Sequence, residues 1–200
     1  NGLATNLPKA LEIEADAFAE LLMTPESQQL VNIFFAVTDL KKDSGIDSDE
    51  LPKPIDNIGV LGAGLMGAGI AYVTIDKAKS SVRLKDIDTV GLAKGIAYVG
   101  KIIDKKLSRK RITQIDRQTA MARLTGAIDY RGFKNSDVVI EAVFENLDLK
   151  QRMVSDIEAL NSAKETVFAT NTSAIPIDDI AATAKYPERI VGMHYFSPVE

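Results

Sequence analysis

The chain contains no cysteine and only one histidine, His194, in 200 residues. Without cysteine there is no disulfide, no thiolate nucleophile and no cysteine-ligated metal. One imidazole is too few for a histidine-rich metal centre, so no metal site is expected. No apolar stretch approaches the roughly 18 residues that cross a bilayer, and no membrane span is expected. The first residues lack a basic segment followed by an apolar run, the pattern of a secretory signal, and a cytoplasmic location is the expectation. Positive charge is in deficit: 24 Lys and Arg stand against 28 Asp and Glu, a formal charge of −4. That balance argues against nucleic acid or an anionic membrane surface as partner. Phosphate or nucleotide chemistry is left to backbone amides, hydroxyls, carboxylates and the single imidazole.

What is present suits a globular fold. Hydrophobic residues make up 46% and charged residues 26%, the proportions of a chain that buries a core. The length suits one ordinary domain with a remainder. In residues 8–23, Leu11, Ala15, Phe18 and Leu22 recur at spacings of three and four with acids between them, an amphipathic helix. Thr24-Pro25-Glu26 restarts a helix with a hydroxyl cap, a proline in the first turn and an acid near the positive dipole end. Its apolar face is Leu30, Val31, Phe34 and Val37. Two such helices cannot bury both faces alone and require something further to pack on. Residues 41–54, rich in Lys, Asp, Ser and Gly and ending Leu51-Pro52-Lys53-Pro54, read as an exposed linker. The boundary is drawn there, with a helical segment and linker over 1–54 and a separate domain over 55–200.

From Asn57 onward strands and helices alternate. Strands are expected at 57–61, 81–84, 124–128, 137–142, 166–170 and 189–193. Helices are expected at 65–75, 90–107, 112–123, 147–160 and 177–184. Alternation of this kind implies right-handed crossovers and a mostly parallel sheet, an α/β fold of the doubly wound Rossmann type.

Gly62-Ala63-Gly64-Leu65-Met66-Gly67 follows an expected strand and opens an expected helix. In that context Gly62 permits the tight turn, Gly64 lets backbone approach a pyrophosphate, and Gly67 lets helix and strand pack closely. The helix N-terminus then offers unpaired N–H groups to phosphate. Asp86 lies 24 positions after Gly62, at the end of the second strand, near the spacing of about 20 at which an acid accepts the adenosine ribose hydroxyls. Such an acid repels a 2′-phosphate and favours NAD over NADP. Asp88 competes for that role, Arg83 and Lys85 would soften the discrimination, and an acid here also suits the start of the next helix.

Two further segments follow strands: Ala169-Thr170-Asn171-Thr172-Ser173 and Gly192-Met193-His194-Tyr195-Phe196-Ser197-Pro198. Oxidation of an alcohol needs a base for the hydroxyl proton, and an imidazole titrates near neutral pH. Ser173 and Asn171 are candidates for positioning substrate or nicotinamide. A lone histidine beside aromatics serves equally as a packed structural residue, and the residues themselves leave both roles open.

The motifs Gly-Ala-Gly-Leu-Met-Gly-Ala-Gly-Ile-Ala (62–71), Val-Arg-Leu-Lys-Asp-Ile (82–87), Asp-Tyr-Arg-Gly-Phe (129–133), Glu-Ala-Val-Phe-Glu-Asn-Leu-Asp-Leu-Lys (141–150), Asn-Thr-Ser (171–173) and His-Tyr-Phe-Ser-Pro-Val-Glu (194–200) occur in order. Together they resemble the NAD-binding domain of L-3-hydroxyacyl-CoA dehydrogenases, in the form found in the α subunit of bacterial multifunctional fatty-acid oxidation complexes. The resemblance implies NAD as cofactor, held by the glycine turn with Leu65, by Asp86, and by Met66, Val143, Phe144, Glu145, Lys150 and Ser173. Read without it, Glu145 and Lys150 are a solvated helix start and a surface pair. The resemblance further implies His194 as catalytic base, Ser173 at both nicotinamide and substrate, and an acyl-CoA substrate touched by Asn171, Ser173 and Ser197. The family often carries Asn in place of Ser197.

The family also pairs its histidine with a Glu about a dozen residues downstream, which orients the imidazole as the acid of a catalytic triad does. That position lies past Glu200, and Glu200 does not match it. A mostly helical second domain completes the acyl-CoA site in the family. Residues 1–54 resemble the connection from an upstream hydratase/isomerase domain, and a thiolase subunit is the implied partner. The chain is therefore expected to be an excised piece that binds NAD with little turnover of its own. Two rival readings stand beside this one. A 3-hydroxyacid dehydrogenase of the hydroxyisobutyrate type shares the Gly-x-x-Met-Gly loop but uses a lysine base in a later domain. A non-catalytic dinucleotide-binding module would use His194 structurally.

Overall fold

The computed structural model describes residues 5–43, 45, 51–161 and 165–199. The chain divides into two compact units, residues 1–52 and 53–200. In the first, α1 (Leu7–Leu22) is capped by the Asn6 side chain and α2 (Pro25–Leu40) by the Thr24 hydroxyl, each with proline in its first turn. Neither helix has a buried residue, so both keep their apolar faces exposed, Phe18 at 64% and Phe34 at 65%. Part of the expected linker over 41–54 lies outside the described residues.

The second unit alternates strand and helix: β1 (Asn57–Leu61), α3 (Leu65–Val73), β2 (Ser81–Lys85), α4 (Thr89–Ser108), α5 (Gln114–Ala122), β3 (Leu124–Ala127), β4 (Val138–Glu141), α6 (Leu147–Leu160), β5 (Val167–Thr170), α7 (Ile177–Ala181) and β6 (Ile190–Gly192). The strands form one sheet in the order β3-β2-β1-β4-β5-β6, every pair parallel. That order reverses direction beside β1, which makes the topological switch point of a Rossmann fold.

Several ends differ from the sequence reading for local reasons. The helix expected over 65–75 leaves α geometry at Val73 and closes in a π-helical turn, Thr74–Ala78, with Lys79 left-handed at φ +62°. There the Asp76 carboxylate pairs with Lys106 at 2.7 Å. The helix expected from 112 begins at Gln114 because Thr113 and Asp116 form a reciprocal capping box. The last helix stops at Ala181, three residues short of expectation.

Alternation along the strands divides the core between the two faces of the sheet. Ile58, Val60, Val82, Leu84 and Ile140 pack against α3 and α4 on one face, with Ile70, Val99 and Ile103. Leu61, Val139 and Phe168 pack against α6 and α7 on the other, with Val154, Ile157 and Ile180. Gly59 sits mid-strand because a Cβ there would come within 2.6 Å of the fully buried Phe133 ring. The aromatic of the 129–133 motif is thus a core anchor beneath β1.

Candidate active site

The loops after β1, β4, β5 and β6 leave the same edge of the sheet, the edge at which open α/β sheets bind ligands. The β1–α3 turn is shaped by contacts that exclude side chains. Gly62 has φ +95°, and a Cβ on it would lie 2.5 Å from the Ala142 carbonyl oxygen. A Cβ on Gly67 would collide with the Gly62 carbonyl. Gly64 faces open space and caps α3 with no side chain, so the first-turn N–H groups have no side-chain acceptor. α4 closes in from the side through its own glycines. A Cβ on Gly95 would stand 2.6 Å from the Ala63 carbonyl oxygen, and one on Gly91 would stand 3.0 Å from the Asp86 carboxyl. Each glycine costs the helix about 1 kcal/mol against alanine, and here each lets the helix lie against the turn.

Asp86 ties the second strand to that turn. One carboxylate oxygen accepts from the Ala63 N–H at 2.8 Å, the other from the Ile87 N–H at 2.7 Å. Each oxygen keeps a further lone pair. The competing Asp88 is spent on capping α4, accepting from Val90 and Gly91 N–H. Arg83 donates to the Arg131 carbonyl at 2.9 Å, and the Lys85 ammonium stands 4.8 Å over the Tyr130 ring. A cavity of about 530 Å³ opens here, lined by Gly62, Gly64, Leu65, Met66, Asp86 and Phe144 among others. A bare turn, an uncapped helix start and an acid beside them fit the pyrophosphate and adenosine ribose of a dinucleotide.

A second cavity of about 340 Å³ shares Met66, Ala142 and Val143 with the first and continues to Glu145, Asn171, Ser173, His194 and Ser197. His194 is exposed to this cavity, with its ring edge-on to Phe196 at 5.2 Å. Its Nδ1 lies 3.0 Å from the Thr172 carbonyl oxygen. A carbonyl only accepts, so Nδ1 is the protonated nitrogen of the neutral ring and Nε2 carries the free lone pair. Asn171 Oδ1 accepts from the Tyr195 N–H at 2.7 Å, which pins the backbone next to the histidine.

Glu145 gathers the opposite wall. It accepts from the Ser173 N–H at 2.6 Å, the Ser173 hydroxyl at 3.0 Å and the Thr172 hydroxyl at 2.9 Å. Burial would raise its pKa, but these bonds and the Lys150 ammonium overcome that and bring it down to about 2. Lys150 is not the surface partner of Glu145 that sequence pattern suggests. The Lys150 side chain is 1% exposed, with its ammonium 2.8 Å from both oxygens of Glu141 and 3.4 Å from Glu145. The inner face of α6 turns it under the end of β4. Lys150 therefore reaches the cleft only through Glu145.

Glu141 and Thr172 escape the sequence reading. Glu141 is fully buried and also accepts from the Val143 N–H and the Thr170 hydroxyl. The one signal for it was an acid closing the apolar run Val138-Val139-Ile140. Thr172 lay within the Asn-Thr-Ser motif, but nothing in the pattern gave it a part apart from its neighbours, because that part depends on contacts between separate loops. Glu200 falls outside the described residues. Among the described residues no helix is long and apolar enough to cross a membrane, and no three metal-ligating side chains cluster.

Comparison with known proteins agrees with this geometry. Residues 57–200 match the family described as 3-hydroxyacyl-CoA dehydrogenase, NAD binding domain. A fatty acid oxidation complex subunit alpha of Vibrio cholerae is 53% identical over 199 residues, and this chain spans all of its own length but only 28% of that relative. Among solved structures, FadB2 of M. tuberculosis aligns with TM-score 0.68 and 32% identity over 74% of this chain and 51% of that one. A 3-hydroxybutyryl-CoA dehydrogenase of Escherichia coli K12 aligns with TM-score 0.68 and 30% identity over 74% of this chain and 31% of that one. With a family match over residues 57–200, this chain belongs to the 3-hydroxyacyl-CoA dehydrogenases, of which it carries the NAD-binding domain.

Proposed function

We propose that this chain supplies the NAD-holding part of an enzyme that oxidises the 3-hydroxyl of an L-3-hydroxyacyl-CoA to the 3-ketone, a step of fatty-acid β-oxidation. The observation that carries the reading is the continuity of the cleft: Met66, Ala142 and Val143 line both cavities, so the glycine turn and Asp86 open onto Ser173 and His194. When bound there, NAD supplies a hydride acceptor. The peptide N–H groups at the start of α3 hold its phosphates, with Leu65 and Met66 beside them. Asp86 accepts from the adenosine ribose, and Val143, Phe144 and Glu145 form the wall along which the cofactor lies. Nε2 of His194 takes the proton of the substrate hydroxyl as the carbon loses hydride, and the imidazolium keeps its Nδ1–H on the Thr172 carbonyl. The Ser173 hydroxyl directs the reacting oxygen, and Asn171 and Ser197 flank the acyl group.

The complete protein, by the likeness to fatty acid oxidation α subunits, carries a hydratase/isomerase domain ahead of residues 1–54, a helical domain after this one, and a thiolase subunit as partner. Cytoplasmic location belongs to the same proposal. Calorimetric titration of this chain with NAD should show one site, and an NADH absorbance assay with acetoacetyl-CoA should show little turnover. Turnover with small hydroxyacids and none with acyl-CoA in the complete protein would refute the assignment of substrate. Absence of NAD binding would refute the whole reading.

A further inference from the structure

Phe133 gives the 129–133 motif its place in the core, and the rest of that loop collects cations. The loop follows β3, which pairs with β2, so it lies beside the strand that leads into Asp86. Lys85 is the last residue of β2 and lines the same cavity as Asp86. Its ammonium nevertheless stands 4.8 Å over the Tyr130 ring, within the range of a cation–π contact. That ring is itself held, edge-on to the fully buried Phe133 at 5.9 Å. Burial and the Asp156 carboxylate raise the pKa of the Tyr130 phenol, so the ring stays neutral and presents a π face rather than a phenolate. Arg83 is drawn to the same loop, donating to the Arg131 carbonyl at 2.9 Å. Gly132 makes room for it, since a Cβ there would stand 2.9 Å from the Arg83 Nε. Arg131 in turn pairs with Asp129 at 2.7 Å. Three cations near the adenosine end of the cleft are thus taken up by one loop.

Dinucleotide folds that accept a 2′-phosphate place a cation beside the adenosine ribose. Lys85 is one residue from Asp86 and carries its charge on a flexible four-carbon stem. Left unrestrained, that ammonium would attract a 2′-phosphate and offset the repulsion from Asp86. We propose that Tyr130 is a positioning residue for cofactor selectivity: its ring holds the Lys85 ammonium off the adenosine ribose, so that Asp86 meets the 2′ position without a neighbouring cation and a 2′-phosphorylated dinucleotide is rejected. The proposal rests on the reading of the cleft at the β1–α3 turn as the NAD site. Selectivity then has two parts, a carboxylate that repels the phosphate and an aromatic ring that withholds the cation beside it.

The readout is the ratio of the NADP to the NAD dissociation constant, each measured by displacement of bound NADH and the loss of its fluorescence. In the 200-residue chain, Tyr130→Leu should lower that ratio about three- to thirtyfold, the range spanned by one cation–π contact. Tyr130→Phe keeps an aromatic ring and should keep the unsubstituted ratio. Adding Lys85→Met to Tyr130→Leu should return the ratio to that of Lys85→Met alone, because the released ammonium is what recruits the phosphate. Amide spectra of each variant report whether the fold persists. A folded Tyr130→Leu chain with the unsubstituted ratio overturns the proposal. So does a double variant that keeps the lowered ratio, since the effect would then not pass through Lys85. Lys85→Met alone tests the same point with the loop intact. The ratio should change by less than about twofold, as for a screened charge that makes no contact, and a larger rise would show that the ammonium already reaches the phosphate. NADH titration of the unsubstituted chain separates the two questions. Absence of NADH binding strikes the functional reading, whereas NADH binding with a ratio indifferent to Tyr130 strikes this proposal alone.

Discussion

At the scale of single residues, the site depends on a few side chains whose charge or proton is fixed by neighbours. His194→Gln in the complete enzyme removes the proposed base and keeps the volume. Turnover should fall by about 10²–10⁴, the usual worth of a positioned acid–base group, with NAD affinity unchanged. Steady-state rates beside a calorimetric Kd test this, and an unaltered rate removes His194 from the chemistry. Glu145 has its pKa lowered from 4.5 to about 2. Its hold on the 172–173 turn is therefore complete above about pH 4.5 and is lost as pH falls toward 2. The side chain is 39% exposed, so solvent screens the energy involved and only a small stability change should follow. The Ser173 amide shift followed by NMR should titrate near the lower value, and a midpoint near 4.5 would mean the clamp is not formed. Glu141 is the buried counterpart. Glu141→Ala leaves the Lys150 ammonium in the interior without its main partner, which should cost about 3–5 kcal/mol in urea unfolding.

At the scale of elements, glycines decide how closely helices approach the cofactor turn. α3 packs back on the turn through Gly67, and α4 leans on it through Gly91 and Gly95. Gly95→Leu should push α4 away from Ala63 and open the turn, lowering NAD affinity tenfold or more (roughly 1.4 kcal/mol) while far-ultraviolet dichroism stays near that of the unsubstituted chain. Retained affinity would show that the turn holds its shape without α4. The segment after β6 is seated in the same manner. A Cβ on Gly69 would meet Val199 at 2.9 Å, so the helix that begins at the cofactor turn also forms the seat for the residues that follow His194.

At the scale of the whole molecule, the sheet separates two cores and brings four loops to one edge. Phe133 anchors the core under α6, fully buried against Gly59 and edge-on to Tyr130 at 5.9 Å. Phe133→Ala should destabilise the second unit by about 3–5 kcal/mol in urea unfolding. The division of the chain near residue 52 gives a complementary expectation. A chain beginning at Lys53 should bind NAD as the 200-residue chain does, because every residue assigned to the cofactor lies after that division. A large loss of affinity by calorimetry would show that α1 and α2 contribute to the site.

Local sequence determined what local forces decide. Short apolar runs marked the strands and period-3.6 patterning most helix spans, because a sheet covered on both faces is apolar along its strands while a covering helix buries one side. The strand–glycine–helix succession with Asp86 marked the dinucleotide turn, because only glycine tolerates those backbone positions. The Thr24 hydroxyl cap and Pro25 marked the start of α2. What remained for the tertiary structure were relations between segments far apart in the chain. Lys150 reads as a surface lysine until α6 turns it inward onto Glu141, nine residues before it. Thr172 acquires its part only when the loops after β4, β5 and β6 meet at one edge, joining Glu145 to its hydroxyl and His194 to its carbonyl. Propensity and periodicity act over one or two turns of chain, whereas burial of charge and the choice of a proton's position depend on which distant groups close packing brings within hydrogen-bond reach.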